Sequence, residues 1–236
     1  MAVILAVDTS AKSVSCALVR DGNIIASYFA NNGLTHSQTL LPMVDHLLKT
    51  AEISMDQVDA LAVNTGPGSF TGVRIGVSAV KGLAFTNDLP CISVSTLESM
   101  AEMIPVIPGV AVCGVMDARC QQVYTAVFTC DENGKAVRMS QDEAISIAEL
   151  GERLKKLGSP IMLVGDGSPL CYKMLSDTVP GLMLAPPSVR FQNAVGTALV
   201  AERLYQQGCT LSAEELLPMY LRLPQAEREL NSRLGK

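Results

Sequence analysis

The segment that most constrains the fold of this 236-residue chain is Gly66-Pro67-Gly68-Ser69-Phe70-Thr71-Gly72. It follows the short apolar run Ala60-Leu61-Ala62-Val63 and precedes a helical pattern from Val73 to Phe85. Strand, glycine loop and helix in succession belong to an α/β architecture. They set the backbone N–H groups of the loop and of the helix start around an anion-sized concavity. The spacing is G-x-G-x-x-x-G, which is neither the dinucleotide fingerprint nor a P-loop, and no lysine stands at the Walker position. Two readings stay open for Gly66, Gly68 and Ser69: a phosphate contact, or a tight turn with close helix packing. Gly72, Gly76, Ala79 and Gly82 along the helix are small enough for another backbone to approach.

The chain opens as a strand meander. Val3-Ile4-Leu5-Ala6-Val7 ends at Asp8-Thr9-Ser10, Val14 to Val19 reads as a second strand, and the turn signal Asp21-Gly22 leads to a third. Leu40, Leu41, Val44, Leu47, Leu48 and Ala51 then recur at helical spacing, predicting an amphipathic helix. The second half echoes the first. Val112 to Met116 leads into Asp117, an alternating strand starts at Val123, and Asp131-Glu132-Asn133-Gly134 reads as a turn. Asp117 precedes Val123 by six residues as Asp8 precedes Val14, and Ala126 takes the place of Ala17, at an offset of 109 residues. The repeated order favours an internal duplication. The expected division is a first lobe over 1–108, joined by a late helix at about 190–207, a second lobe over 109–189, and a charged tail within 208–236. The boundary is placed at Ile104-Pro105-Val106-Ile107-Pro108-Gly109.

A strand that ends in Asp8-Thr9-Ser10 and turns into a hairpin is the arrangement by which actin-like ATPases hold metal and phosphate. The alternative is a turn in which the aspartate caps its own backbone. At Asp117 the follower is Ala118-Arg119, without the hydroxyl, and the capped turn is the favoured reading there.

Composition excludes several classes. A net charge of −5 with 4% aromatic residues and no Trp supplies neither the electrostatic footprint nor the stacking platforms of a nucleic-acid binder, so any RNA is expected to be held by another chain. With 48% apolar and only 17% charged residues, some surface must be apolar, which points to a partner or self-association. No membrane span or basic leader is read, and a cytoplasmic location is expected. Seven cysteines without a C-x-x-C pair are read as reduced core residues. His36 and His46 lie ten residues apart, about 15 Å on one helix, too far to share a metal ion. No serine sits in a G-x-S-x-G elbow.

Gly66 to Gly76, with Ala6-Val7-Asp8-Thr9-Ser10, His36-Ser37-Gln38 through Leu41-Pro42, Met116-Asp117-Ala118-Arg119 and Leu217-Pro218-Met219-Tyr220-Leu221-Arg222, closely resembles the TsaB (YeaZ) family over nearly the whole chain. The resemblance implies two actin-like (ASKHA, ribonuclease H-like) lobes. It also implies a role beside TsaD, the related subunit that transfers threonylcarbamoyl to the adenosine next to the anticodon of tRNAs reading codons that begin with A. TsaC supplies the threonylcarbamoyl-adenylate and TsaE is an ATPase. TsaD-like chains carry V-N-H-M-E-G-H, whose two histidines suit metal ligation. Here Val94-Ser95-Thr96-Leu97-Glu98-Ser99-Met100 places Thr96 and Met100 at those positions. The resemblance therefore implies a non-catalytic subunit without a metal of its own.

The two helices near 36–50 and 72–86 are the expected docking face, with Leu40, Leu41, Val44, Leu48, Val73, Gly76, Val80 and Leu83 contributing. The same face is expected to support homodimers when TsaD is absent, with tRNA reached only through the complex. Asp8, Thr9, Ser10, Gly66, Gly68 and Ser69 are the candidate nucleotide contacts. No cofactor is expected for the chain alone, with ATP or ADP held at the TsaD contact. The competing readings are a glycoprotease-like peptidase and an independent actin-like ATPase or kinase.

Overall fold

The computed structural model describes residues 2–105, 107–131 and 136–222. Val106 of the expected boundary, Glu132-Asn133-Gly134 of the expected turn and the charged tail from Gln225 lie outside the described residues.

The described residues form two mixed sheets. The first contains β1 (Val3–Asp8), β2 (Val14–Arg20), β3 (Asn23–Ala30), β4 (Ala60–Gly66) and β5 (Cys91–Ser95), in the order β3-β2-β1-β4-β5. The second contains β6 (Ala111–Asp117), β7 (Gln122–Cys130), β8 (Ala136–Arg138), β10 (Ile161–Val164) and β11 (Leu182–Leu184), in the order β8-β7-β6-β10-β11, while β9 (Glu143–Ser146) also pairs with β7. In each sheet the first hairpins are antiparallel and the last two pairings are parallel. The same strand order with the same directions, twice in one chain, is the actin-like lobe repeated.

The repeat differs from its sequence reading by one residue. In the first hairpin Ala6 faces Ala17 and Asp8 faces Ser15. In the second, Gly114 faces Ala126 and Met116 faces Tyr124. With Ala17 and Ala126 matched, the counterpart of Asp8 is the buried Met116, and Asp117 stands one position beyond. The connection in the second hairpin is one residue longer, and a slip of one residue along a strand exchanges the two faces.

Helices cover both faces of the first sheet. Val3, Leu5, Val7, Leu61 and Val63 pack beneath α1 (His36–Ala51) and α2 (Phe70–Asn87), whose inward stripes are Leu40, Val44 and Leu47, and Val73, Val77, Val80 and Ala84. Ile4, Ala6, Ala60, Ala62, Ile92 and Val94 pack against α7 (Ala194–Gln206). Burial on both faces explains why β1 and β4 read as continuous apolar runs without alternation. The second sheet carries α4 (Ile147–Leu157) and α5 (Ser168–Leu175) on one face. Its other face meets α3 (Thr96–Glu102) through Leu97, Met100 and Ala101. A four-residue helix, α6 (Pro187–Arg190), precedes α7.

Thus α3 and α7 lie together between the lobes, and the chain after α7 returns to the first lobe as far as Leu216. Leu211 exchanges both backbone hydrogen bonds with Cys91, and Leu216 is fully buried in the first core.

The contact between α7 and α3 is backbone on backbone, because a Cβ on Gly196 would collide with the carbonyl of Ser99. Gly82 in α2 has open space around it. Gly196→Ala is expected to destabilise by about 1–3 kcal/mol or more, and Gly82→Ala to stabilise by about 0.5–1 kcal/mol. Urea unfolding of the two variants measures both.

Candidate functional site

The glycine loop is built into the end of β1. The Ser69 N–H donates to the Ser10 carbonyl at 2.7 Å, and Thr9 Oγ1 donates to the Gly72 carbonyl at 2.7 Å. A Cβ on Gly68 would meet the Ser10 carbonyl, one on Gly72 the Thr9 carbonyl, and one on Gly76 Thr9 Oγ1 at 2.5 Å. The loop and the first turns of α2 therefore need glycine at three positions to lie against residues 9 and 10. Ser69 caps α2 by accepting from the Gly72 N–H at 3.3 Å. Gly66 has φ 135°, a value open to glycine, and its missing Cβ leaves room for the Met219 carbonyl. Of the two sequence readings of this loop, close packing accounts for these contacts.

Asp8 closes the opposite side of the turn. Its Oδ1 accepts from the Ser10 N–H at 2.8 Å and from Ser10 Oγ at 2.7 Å, so the aspartate caps its own turn. Asp117 makes the same turn with the Arg119 N–H at 2.8 Å but is exposed. Burial pushes the Asp8 carboxyl above the ordinary aspartate range, against the opposing effects of Ser10, Asn64 and His36. Asp8 Oδ2 and Asn64 Oδ1 are both buried without a hydrogen-bond partner among the described residues, while Asn64 Nδ2 donates to Ser99 Oγ at 3.1 Å. His36 starts α1 and its Nε2 lies 2.7 Å from the Ala11 carbonyl. His46 is exposed and packs its ring 5.5 Å from Tyr28.

Between the lobes lies a cleft of about 560 Å³. Ser10, Gly68 and Ser69 line one wall, and Asp117, Arg119 and Asp166 the other. Asp8, Thr9 and Gly66, named with them as nucleotide contacts, do not reach the cleft: the first two are buried and Gly66 abuts Met219. Burial also raises Asp166, whose Oδ1 accepts from Gln192 Nε2 at 2.9 Å.

A strap over 217–222 forms the rim. The Met219 N–H donates to the Thr65 carbonyl at 2.7 Å, and Tyr220 stacks on Phe70 at 4.8 Å. Arg74 lies 3.8 Å above Phe70 and donates to the Tyr220 hydroxyl at 2.7 Å. Arg222 crosses to the second lobe and donates to the Ala118 carbonyl at 3.1 Å. The sequence marked these residues only as a family resemblance, because an irregular strap has no periodicity to read.

The family profile described as "TsaD: tRNA N6-adenosine threonylcarbamoyltransferase" matches residues 28–227. The "tRNA threonylcarbamoyladenosine biosynthesis protein TsaB" of Escherichia coli (strain K12) is 37% identical over 221 residues, covering 93% of this chain and 94% of the relative. This chain belongs to the TsaB family. The TsaB protein of Bacillus subtilis (strain 168) is 32% identical, with 95% and 96% covered. The solved structure of YeaZ from Pseudomonas aeruginosa superposes with a TM-score of 0.80 at 29% identity, covering 94% of this chain and all of that one. The chain is thus a homologue of proteins of tRNA threonylcarbamoyladenosine biosynthesis, related to TsaD. No helix among the described residues is long and apolar enough to cross a membrane.

Against the TsaB expectations, the two-helix face needs correction. Leu40, Val44, Val73 and Val80 point into the first core and Gly76 is buried against Thr9, so these five do not form a surface. An apolar stripe at helical spacing serves its own sheet first. Leu41 is 48% exposed, and Leu48 and Leu83 are half-buried. The most exposed apolar side chain of the pair is Phe85, at 82%, one turn from the open Gly82. Thr96 and Met100 are fully buried between the lobes.

A carboxyl that binds its proton more tightly when folded gives the native state an advantage that is complete at acid pH. This advantage is lost as pH rises through the elevated folded value. Asp8→Asn mimics the neutral acid, keeps an oxygen for Ser10 and sets an amide beside Asn64. It is expected to be more stable than the parent at pH 8, with the two urea midpoints converging towards pH 4.

Proposed function

We propose that this chain is the non-catalytic subunit that binds and supports TsaD during threonylcarbamoyl transfer to tRNA. The observation that carries this reading is the burial of Thr96 and Met100. These residues stand where TsaD-like chains carry their two histidines, and here both are fully buried, Met100 within the apolar cluster that α3 forms with the second lobe. A thioether is too soft for a hard or borderline cation, and one buried hydroxyl with no charged ligand beside it does not make a site for one. The transfer chemistry then belongs to the related partner.

The docking surface is the outward side of α1 and α2, with the exposed Leu41 on the one helix and the exposed Gly82 and Phe85 on the other. Small residues on one helix allow close approach of a second pair, so two helices from each chain make a four-helix contact. The same side pairs two copies of this chain when TsaD is absent, and TsaE joins the assembled pair. The loop glycines are taken up by packing on residues 9 and 10. The isolated chain therefore needs no nucleotide, and ATP or ADP is held at the contact with TsaD.

Reconstitution tests the reading. Threonylcarbamoylation of tRNA by TsaC, TsaD and TsaE is expected to require this protein; activity unchanged by its omission refutes the proposal. Phe85→Glu and Leu41→Glu are expected to abolish co-purification with TsaD while leaving the circular dichroism spectrum intact. Gly76 is unsuited to this test, because a side chain there strikes Thr9.

A further inference from the structure

Five ionised side chains join the lobes beside α3. Arg203 on α7 donates through Nη2 to Glu98 Oε1 at 2.9 Å and through Nη1 to Glu102 Oε2 at 3.2 Å. The second oxygen of Glu98 accepts from Nη2 of Arg138 on β8 at 3.1 Å. Arg138 pairs through Nη1 with Asp142 and lies 4.8 Å from the Phe128 ring centroid. Asp142 Oδ2 accepts from Ser95 Oγ at 2.6 Å, and that hydroxyl also accepts from the Glu98 N–H.

Glu98 therefore divides its two oxygens between an arginine of each lobe. Its side chain is 25% exposed and both arginines are 24% exposed, so the contacts are partly shielded from water. The apolar attraction between α3 and the second sheet is non-directional. Charge-assisted hydrogen bonds have fixed lengths and directions. Without the carboxylate, Arg138 keeps Asp142 and Arg203 keeps Glu102, but the group that ties one arginine to the other is lost.

We infer that Glu98 is a positioning residue that pins the angle between the lobes, and with it the width of the cleft between Ser10 and Asp117. This is a conformational device of the fold, independent of the role proposed beside TsaD.

The chain carries its own labelling sites. Cys120, in the β6–β7 connection, and Cys209, beyond α7, are exposed, whereas Cys16, Cys91, Cys113 and Cys171 are buried. With Cys130→Ser, spin labels on Cys120 and Cys209 report the distance between the lobes by double electron–electron resonance. The parent is expected to give one narrow distribution. Glu98→Gln is expected at least to double its width, while Glu152→Gln, which removes an exposed pair with Lys155 on α4, leaves it unchanged. An unchanged distribution in folded Glu98→Gln overturns the inference. Should that variant fail to fold, the parent decides. Broadening on transfer from low salt to 1 M NaCl, where the screening length is about 3 Å, supports the pin, and an unchanged distribution overturns it.

Discussion

The first lobe and the cleft both depend on one contact, that of the glycine loop with the end of β1. Gly68 and Gly72 meet the carbonyls of Ser10 and Thr9, and Gly76 the Thr9 hydroxyl, with hydrogen bonds running in both directions between the two segments. This contact fixes where α2 begins and how it crosses the sheet, and so where its outward side points. It also places Ser10, Gly68 and Ser69 on one wall of the cleft. A loop that resembles a phosphate cradle in its composition has here become a joint between two segments of the same chain.

The duplication shows how the two lobes have diverged on one plan. Both retain the strand order and directions. At the position of Asp8, however, the second lobe holds Met116 and buries it against α3. One lobe keeps a buried acid at its strand end while the other extends the apolar seam between the lobes. The same seam takes in Met100.

Much of this was legible in the sequence. The apolar runs of β1 and β4, the Asp21-Gly22 turn and the helical spacing of Leu40, Val44 and Leu47 mark elements because short-range periodicity determines them. The direction in which the stripe of α1 faces was not legible. Periodicity identifies an apolar side but not whether its own sheet or a partner covers it, and for Leu40 and Val44 the sheet does. The one-residue slip of the second hairpin was hidden because both aspartates follow an apolar strand at the same interval. The charged joint was hidden for another reason: Glu98 meets partners 40 and 105 positions away, and no local pattern records such a pairing.

The return of the chain to the first lobe sets an order of events during synthesis. Ile4, Ala6 and Ala17 lie near the start of the chain, yet the helix that covers them spans residues 194 to 206, and Leu216 completes the opposite core. On the ribosome the first sheet therefore emerges with one face bare and remains so while the whole second lobe is made. The first lobe closes only once α7 and Leu216 have followed the second lobe, and the two lobes mature as one unit although the strand plan is written twice.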